Sequence, residues 1–98
     1  MILHTLIKFY SQPLLGYITD KQGEVRQAAA YGCGVMGQFG GNGFAPICAQ
    51  AVPLLIQVIQ APDSRSEDNL NATENAIAAI TKILKYNASN INIDEVSF

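Results

Sequence analysis

The chain repeats itself, and that narrows its folding options more than any other feature. Pro13-Leu14-Leu15 returns as Pro53-Leu54-Leu55 forty residues on, and the segment beginning at Val25 returns in pattern 47 residues on. At that second offset Val25 pairs with Ala72, Ala29 with Ala76, Cys33 with Ile80 and Met36 with Ile83. The additional seven residues are accounted for by the polar stretch from Ala61 to Asn69. Chains that repeat at such a period stack like units, each burying a face against its neighbours. With 98 residues, two such units fill the chain and leave no second domain. Only 14% of the residues are charged while 49% are hydrophobic. An ordinary soluble domain carries roughly 25% charged residues, so this surface suits a unit covered on more than one side. The same balance excludes wholesale disorder.

Periodicity assigns the repeated pieces to helices. Leu3, Leu6, Ile7, Tyr10, Leu14, Leu15 and Ile18 recur at three-to-four spacing, predicting a first helix, bent or restarted at Pro13, that ends near Thr19. Asp20 to Gly23 is a polar turn, and Glu24 opens a second helix with its acid near the positive end of the dipole. Its buried stripe is expected at Val25, Ala28, Ala29, Gly32, Cys33 and Met36, and it must stop at Gly40-Gly41-Asn42-Gly43. A third helix is expected from about Phe44 to Gln60, with Pro46 in its first turn, Pro53 kinking its middle, and an apolar face of Ile47, Val52, Leu55, Val58 and Ile59. A fourth opens with Asn71 and Glu74 as a capping pair and buries Thr73, Ala76, Ile77, Ile80, Ile83 and Leu84 before ending near Asn87.

This is an all-α chain of the HEAT or armadillo class, an α-solenoid segment with two helix-pair units and the start of a third. Residues 1–43 form the first unit, with its A-helix to about 19 and its B-helix at about 24–39. Residues 44–87 form the second, with the longer A–B loop at 61–69, and 88–98 begin a truncated third. Two units fall short of the roughly three that a stable stack needs, so exposed apolar faces should drive self-association.

Several function classes drop out on chemistry. A net charge of −2 and six scattered cations leave no basic stripe to neutralise a phosphate backbone, so nucleic acid is not an expected partner. Cys33 and Cys48 lie fifteen residues apart with one distant histidine, His4, which is too few ligands for a zinc site or a disulfide framework. They read as small buried hydrophobes in a reducing compartment, and no cofactor is implied. No apolar run approaches the roughly 18 residues of a membrane span, and the N-terminal segment lacks a signal peptide's basic start. Cytoplasm and nucleus are the expected locations. The sequons at Asn71 and Asn87 are then not glycosylated, and Asp63, Glu67 and Asp68 miss the calcium-loop spacing. Gly32-Cys33-Gly34-Val35-Met36-Gly37 is a literal dinucleotide fingerprint, but helix formers precede it and no acid lies about 20 residues beyond it. Close helix packing explains those glycines better. Cys33 has no base within reach for nucleophilic work, so no enzyme activity is expected.

Within the repeat, Leu14 to Met36 resembles a HEAT unit in order: an A-helix with Pro-Leu-Leu, an Asp in the turn, then Glu-Val-Arg-Gln-Ala-Ala opening the B-helix. That resemblance makes Asp20 and Arg26 members of a polar ladder between units. The second unit has Asp63, but Thr73 stands where Arg26 does, so the ladder cannot continue in its usual form. The strings EVRQAAAYGCGVMGQFGG, from Glu24, and NATEN, from Asn71, resemble the C-terminal repeats of the karyopherin-beta (importin-beta) family of nuclear import receptors, in its importin beta-3 or Ran-binding protein branch. The resemblance covers roughly residues 10 to 96. It implies nuclear import of protein cargo bearing basic localisation signals, held on the concave B-helix face, with nucleoporin phenylalanine-glycine repeats on the convex side. Contacts with the Ran GTPase are implied for other repeats of the full receptor.

The B-helix positions off the apolar stripe are Glu24, Gln27, Tyr31 and Gln38 in the first unit and Asn71, Glu74, Asn75, Ala78 and Lys85 in the second, and of these Gln27, Tyr31, Gln38, Asn71, Glu74, Asn75 and Lys85 are the candidate cargo residues. Amides and a tyrosine can bond the backbone of an extended peptide without demanding one side-chain sequence. Against this stands the plain reading of a solvated helix face. The alternative function is a HEAT scaffold for a fixed partner, unrelated to transport.

Overall fold

The computed structural model describes residues 12–88. The expected apolar positions from Leu3 to Tyr10 and the start of a third unit after Ala88 lie outside those residues. Within them the chain is all-α and HEAT-like: helical residues 12–17 (α1), then α2 (Gly23–Phe39), α3 (Ala45–Gln60) and α4 (Leu70–Asn87), with a short 3-10 turn at Gly41–Gly43. Gly41 is the one described residue with positive φ, at 54°, which its missing side chain makes free of strain. Pro46 sits in the first turn of α3, where its lost N–H costs nothing. Pro53 lies inside α3 but faces solvent, so water can take the carbonyl it frees.

The core is one layer of small and branched side chains between the helices. Phe44, Ile18, Leu55, Ile83, Val52, Cys33 and Cys48 are essentially inaccessible. Phe44 closes the turn between α2 and α3, and burying such a side chain stabilises by about 1.5–3 kcal/mol. Burial pushes the Cys33 thiol up to about 12, with the nearby Cys48 adding to it, and pushes Cys48 up to about 11. Both are free thiols.

The dominant packing is between α2 and α4. They run parallel: Gly23 lies beside Asn69, Gly34 beside Ala79 and Gly37 beside Ile83. This moves the buried stripe of α2 from where periodicity alone placed it. Ala30, Gly34 and Gly37 are buried, while Ala28 is exposed and Val25 and Gly32 are only half-buried. The glycine-rich stretch selected that side because it lets a second helix come close. A Cβ on Gly34 would lie 3.3 Å from the Ala79 Cα, and one on Gly37 would lie 2.8 Å from Ile83 Cγ1. In return α4 turns Ala72, Ala76, Ala79 and Ile83 inward and leaves Ile77, expected in the core, 49% exposed. Because Gly32 to Gly37 sits in mid-helix with residues 23–31 helical before it, the strand that a dinucleotide fingerprint requires is absent there.

Two expectations follow. Gly37→Val should destabilise the fold by about 1–3 kcal/mol through overpacking, whereas Gly32→Ala, whose Cβ would meet only Leu14 methyls at 3.5 and 3.7 Å, should stabilise it by about 0.5–1 kcal/mol. Urea titration of the two variants checks both signs. The thiols give a second test. In the unfolded chain they ionise near 9.0 and in the folded chain near 12 and 11. Stability is therefore fully present below pH 9 and is lost as pH rises from there through the folded values. Replacing Cys33 with Ala should flatten that alkaline loss, measured as the urea midpoint against pH.

Candidate functional site

Two regions carry polar side chains in an organised way. The first is the end of the bundle where the α1–α2 turn meets the loop before α4. Arg26, in the first turns of α2, donates from Nη1 to the carbonyls of Asp20 at 2.7 Å and Lys21 at 2.9 Å, and from Nη2 to the side-chain oxygen of Asn69. The Asp20 carboxylate does not meet the guanidinium; it accepts the Gln22 amide at 2.9 Å and so pins its own turn. Asn69 completes the junction, donating to the Asp63 carbonyl at 3.2 Å and to Ser66 Oγ at 3.0 Å. One planar fork thus ties the turn of the first unit to the loop of the second, which suits arginine better than a point charge.

Asn69 was not singled out by the sequence, which placed the start of α4 at Asn71. In the structure α4 begins at Leu70 with Asn69 as its N-cap residue, and Asn71 and Glu74 are exposed positions inside the helix. The cause is the loop. Its backbone already turns into the helix, with the Leu70 amide on the Ser66 carbonyl at 2.9 Å and the Thr73 amide on the Asn69 carbonyl at 3.0 Å. Asn71, two residues further on, is already inside the helix, where the amide it would cap, that of Thr73, is held by the Asn69 carbonyl. Gly23 and Leu70 open α2 and α4 47 residues apart, so Arg26 and Thr73 are both fourth in their helices. Thr73 is buried and donates to the Ser64 carbonyl at 2.7 Å. It braces its own loop, where Arg26 reaches into the next one. These groups border a groove of about 760 Å³ lined by Asp20, Arg26, Asp63, Ser64, Asn69 and Thr73 among others.

The second region is the solvent side of the α2–α4 pair. At about 100° per residue, Gln27, Tyr31 and Gln38 fall on one stripe of α2. Asn71, Glu74, Asn75 and Lys85 fall on one stripe of α4 by the same count. By that count Gln27, Tyr31 and Gln38 flank the α2–α4 seam and Asn75 and Asn71 lie on its same side, whereas Lys85 and Glu74 point away from α2, on the far side of α4. Tyr31 is 62% exposed, Gln27, Gln38 and Asn75 are half-buried, and Asn71, Glu74 and Lys85 are exposed. Lys85 Nζ lies 5.3 Å from the centre of the Tyr86 ring. Lys82, which periodicity left out, is half-buried beside this face, its stem next to Gly34, where an added Cβ would lie 3.5 Å from Lys82 Cδ in ordinary contact. The face has hydrogen-bonding groups of both kinds and little net charge.

Among the described residues, no group of three metal-binding side chains gathers, and no helix is long and apolar enough to cross a membrane. No protein-family model matches the chain. The chain is similar to importin subunit beta-3 of Saccharomyces cerevisiae, at 42% identity over 71 residues, or 71% of this chain. It spans about 6% of the length of that curated relative. The likeness supports membership of the karyopherin-beta family.

If Arg26 links the two units as the geometry requires, Arg26→Ala should lower stability by about 1–3 kcal/mol. Arg26→Lys should recover little of it, since one ammonium cannot span three acceptors set in a fork. Adding Asn69→Ala to Arg26→Ala should cost less than the two single losses summed. Chemical denaturation of the parent chain and these four variants provides the comparison.

Proposed function

We propose that this chain is part of a nuclear transport receptor of the importin beta-3 type, drawn from its C-terminal repeats, and that it acts by binding protein cargo. The observation that carries this reading is the 42% identity over 71 residues to the yeast importin subunit. The parallel B-helices add a physical basis. A surface that spans two helices, presents Gln27, Tyr31, Gln38, Asn71 and Asn75 beside the seam with Glu74 and Lys85 beyond them on α4, and rests on a glycine seam is stiff enough to hold an extended segment. Amide side chains both donate and accept, so they can pair with a peptide backbone whatever its side chains. A receptor for varied cargo needs that tolerance.

The near-neutral face bears on the choice of cargo. Its acids are Glu74 and Glu24, the latter at the position equivalent to Asn71, and Lys82 and Lys85 offset them. Basic localisation signals would therefore gain little Coulomb attraction here, and backbone bonding with the Tyr31 ring would provide most of the contact. Nucleoporin phenylalanine-glycine repeats belong, in this reading, to the A-helix side, and Ran to other repeats of the receptor. The receptor would pass between cytoplasm and nucleus.

The test is a pull-down from nuclear-protein extract with the segment carried in a longer repeat array, with and without GTP-loaded Ran. Cargo that binds and is released by GTP-loaded Ran is the expected result; partners indifferent to Ran would replace the transport reading with a fixed scaffold. In the same array Tyr31→Ala and Asn75→Ala should each weaken cargo binding about five- to tenfold, within the ordinary range for contact residues. Circular dichroism should show helicity unchanged, and undiminished affinity in both variants would remove this face from the reading.

A further inference from the structure

The loop between α3 and α4 carries two serines in the run Asp63-Ser64-Arg65-Ser66-Glu67-Asp68, and their surroundings set them apart. Ser64 is buried, and its carbonyl accepts from Thr73 Oγ1 at 2.7 Å, so it is fixed beneath the loop. Ser66 is exposed, and the exposed carboxylates of Glu67 and Asp68 follow it directly. The other aliphatic hydroxyls among the described residues lack this combination. Thr73 is buried, Thr81 donates to the Ile77 carbonyl within α4, and exposed Thr19 is followed by one acid and then Lys21. Ser66 therefore joins an accessible hydroxyl, a non-helical backbone and two acids on its C-terminal side.

What this hydroxyl touches gives a phosphate there a consequence. Ser66 Oγ accepts from Asn69 Nδ2 at 3.0 Å, and Oδ1 of the same amide accepts from Arg26 Nη2. One amide thus separates Ser66 from the guanidinium that links the two units, and the contacts run toward α2, not toward the outer side of α4. We propose that Ser66 is a phosphorylation site for an acid-directed serine/threonine kinase, and that phosphate there tightens the junction between the units. In the transfer, Ser66 Oγ bonds to the γ-phosphorus of a nucleoside triphosphate as the bond to the β–γ bridging oxygen breaks. That oxygen keeps the electron pair and leaves on the diphosphate, and the hydroxyl proton passes to the kinase's base. The product carries about −1.5 to −2 charge and strong acceptor oxygens. Arg26 Nη1 is committed to the Asp20 and Lys21 carbonyls, while Nη2 gives one N–H to Asn69 and keeps a second for an anion. The phosphate also lies beside the amide end of α4, whose Leu70 N–H rests on the Ser66 carbonyl at 2.9 Å. Glu67 and Asp68 repel it, but they are exposed and screened by solvent, whereas Arg26 is half-buried and held in place. Attraction wins. The inference does not depend on the transport reading.

The test treats the 98-residue chain, and the same segment carried in a longer repeat array, with ATP and an acid-directed serine/threonine kinase, and maps phosphate by peptide mass spectrometry. Phosphate on Ser66 in both proteins, with none on Ser64, is the expected result. Replacing Glu67 with Gln and Asp68 with Asn together should slow incorporation severalfold. Urea titration then reads the junction: phosphorylation should raise the midpoint, and in Arg26→Ala most of that gain should be lost. A further readout needs no variant. Phosphorus NMR of the phosphorylated chain against pH should place the second ionisation of the phosphate lower in the folded chain than in the same chain in urea, because the guanidinium favours the dianion. Phosphate missing from Ser66 in either protein overturns the site. A midpoint that is unchanged or falls on phosphorylation, or a second ionisation no lower folded than unfolded, overturns its coupling to Arg26.

Discussion

The close approach of α2 and α4 is the constraint on which the rest of this structure depends. Two helices normally pack with axes 8–10 Å apart, set by the side chains between them. Here the side chains on α2 at the point of contact are hydrogen atoms, and Gly34 and Gly37 meet Ala79 and Ile83 across the gap. Close approach multiplies dispersion contacts that are individually small. It costs some helix propensity, since glycine in a helix interior gives up about 0.5–1 kcal/mol relative to alanine. Packing that alanine or valine would obstruct offsets this cost.

Polar contacts fix the register of the two helices at both ends. At the N-terminal end Arg26 holds Asn69. At the C-terminal end the buried Asn87 donates to the Gly37 carbonyl at 2.6 Å, satisfying a group in the last turn of α2. Apolar packing alone tolerates sliding by a turn, whereas a buried amide left without its carbonyl would cost about 1–3 kcal/mol. The seam therefore supplies the attraction and the two ends specify the alignment. Gln27, Tyr31 and Gln38 share a face with Asn71 and Asn75 because of that alignment, and a slip of one turn would set Tyr31 beside different residues of α4.

Much of this was legible in the sequence, and the limits have physical causes. Helix existence and the turns around Asp20 and Gly40 follow from periodicity and from glycine, and the 47-residue offset is the spacing between the starts of α2 and α4. What the sequence misplaced was rotation about the helix axis. Ala28 and Ala30 have the same chemistry, so only the position of the neighbouring helix decides that Ala30 is buried and Ala28 exposed. Ile77 failed for the reverse reason: its apolar side chain is real, but its side of α4 has no partner among the described residues. The start of α4 was missed because Asn69 works through tertiary contacts, holding Arg26 from 43 residues away. No local capping rule encodes that pair. On the solvent face the sequence could name polar positions, but which helices carry them side by side is a property of the seam.

The two B-helices are thus alike in position and unlike in what they offer. Where α2 presents Gly23, Ala30, Gly34 and Gly37, α4 presents Leu70, Ile77, Thr81 and Leu84. Where α2 extends Arg26 into the following loop, α4 turns Thr73 back on its own. A helix placed on α4 cannot come as near as α4 comes to α2, because larger side chains intervene, and it finds no arginine fork to fix its register. Whatever covers α4 is held mainly by apolar area. The α2–α4 junction is close and polar-pinned, whereas a helix packed on the equivalent side of α4 would stand farther off and be held by hydrophobic burial alone, so it would be the more easily opened or exchanged of the two.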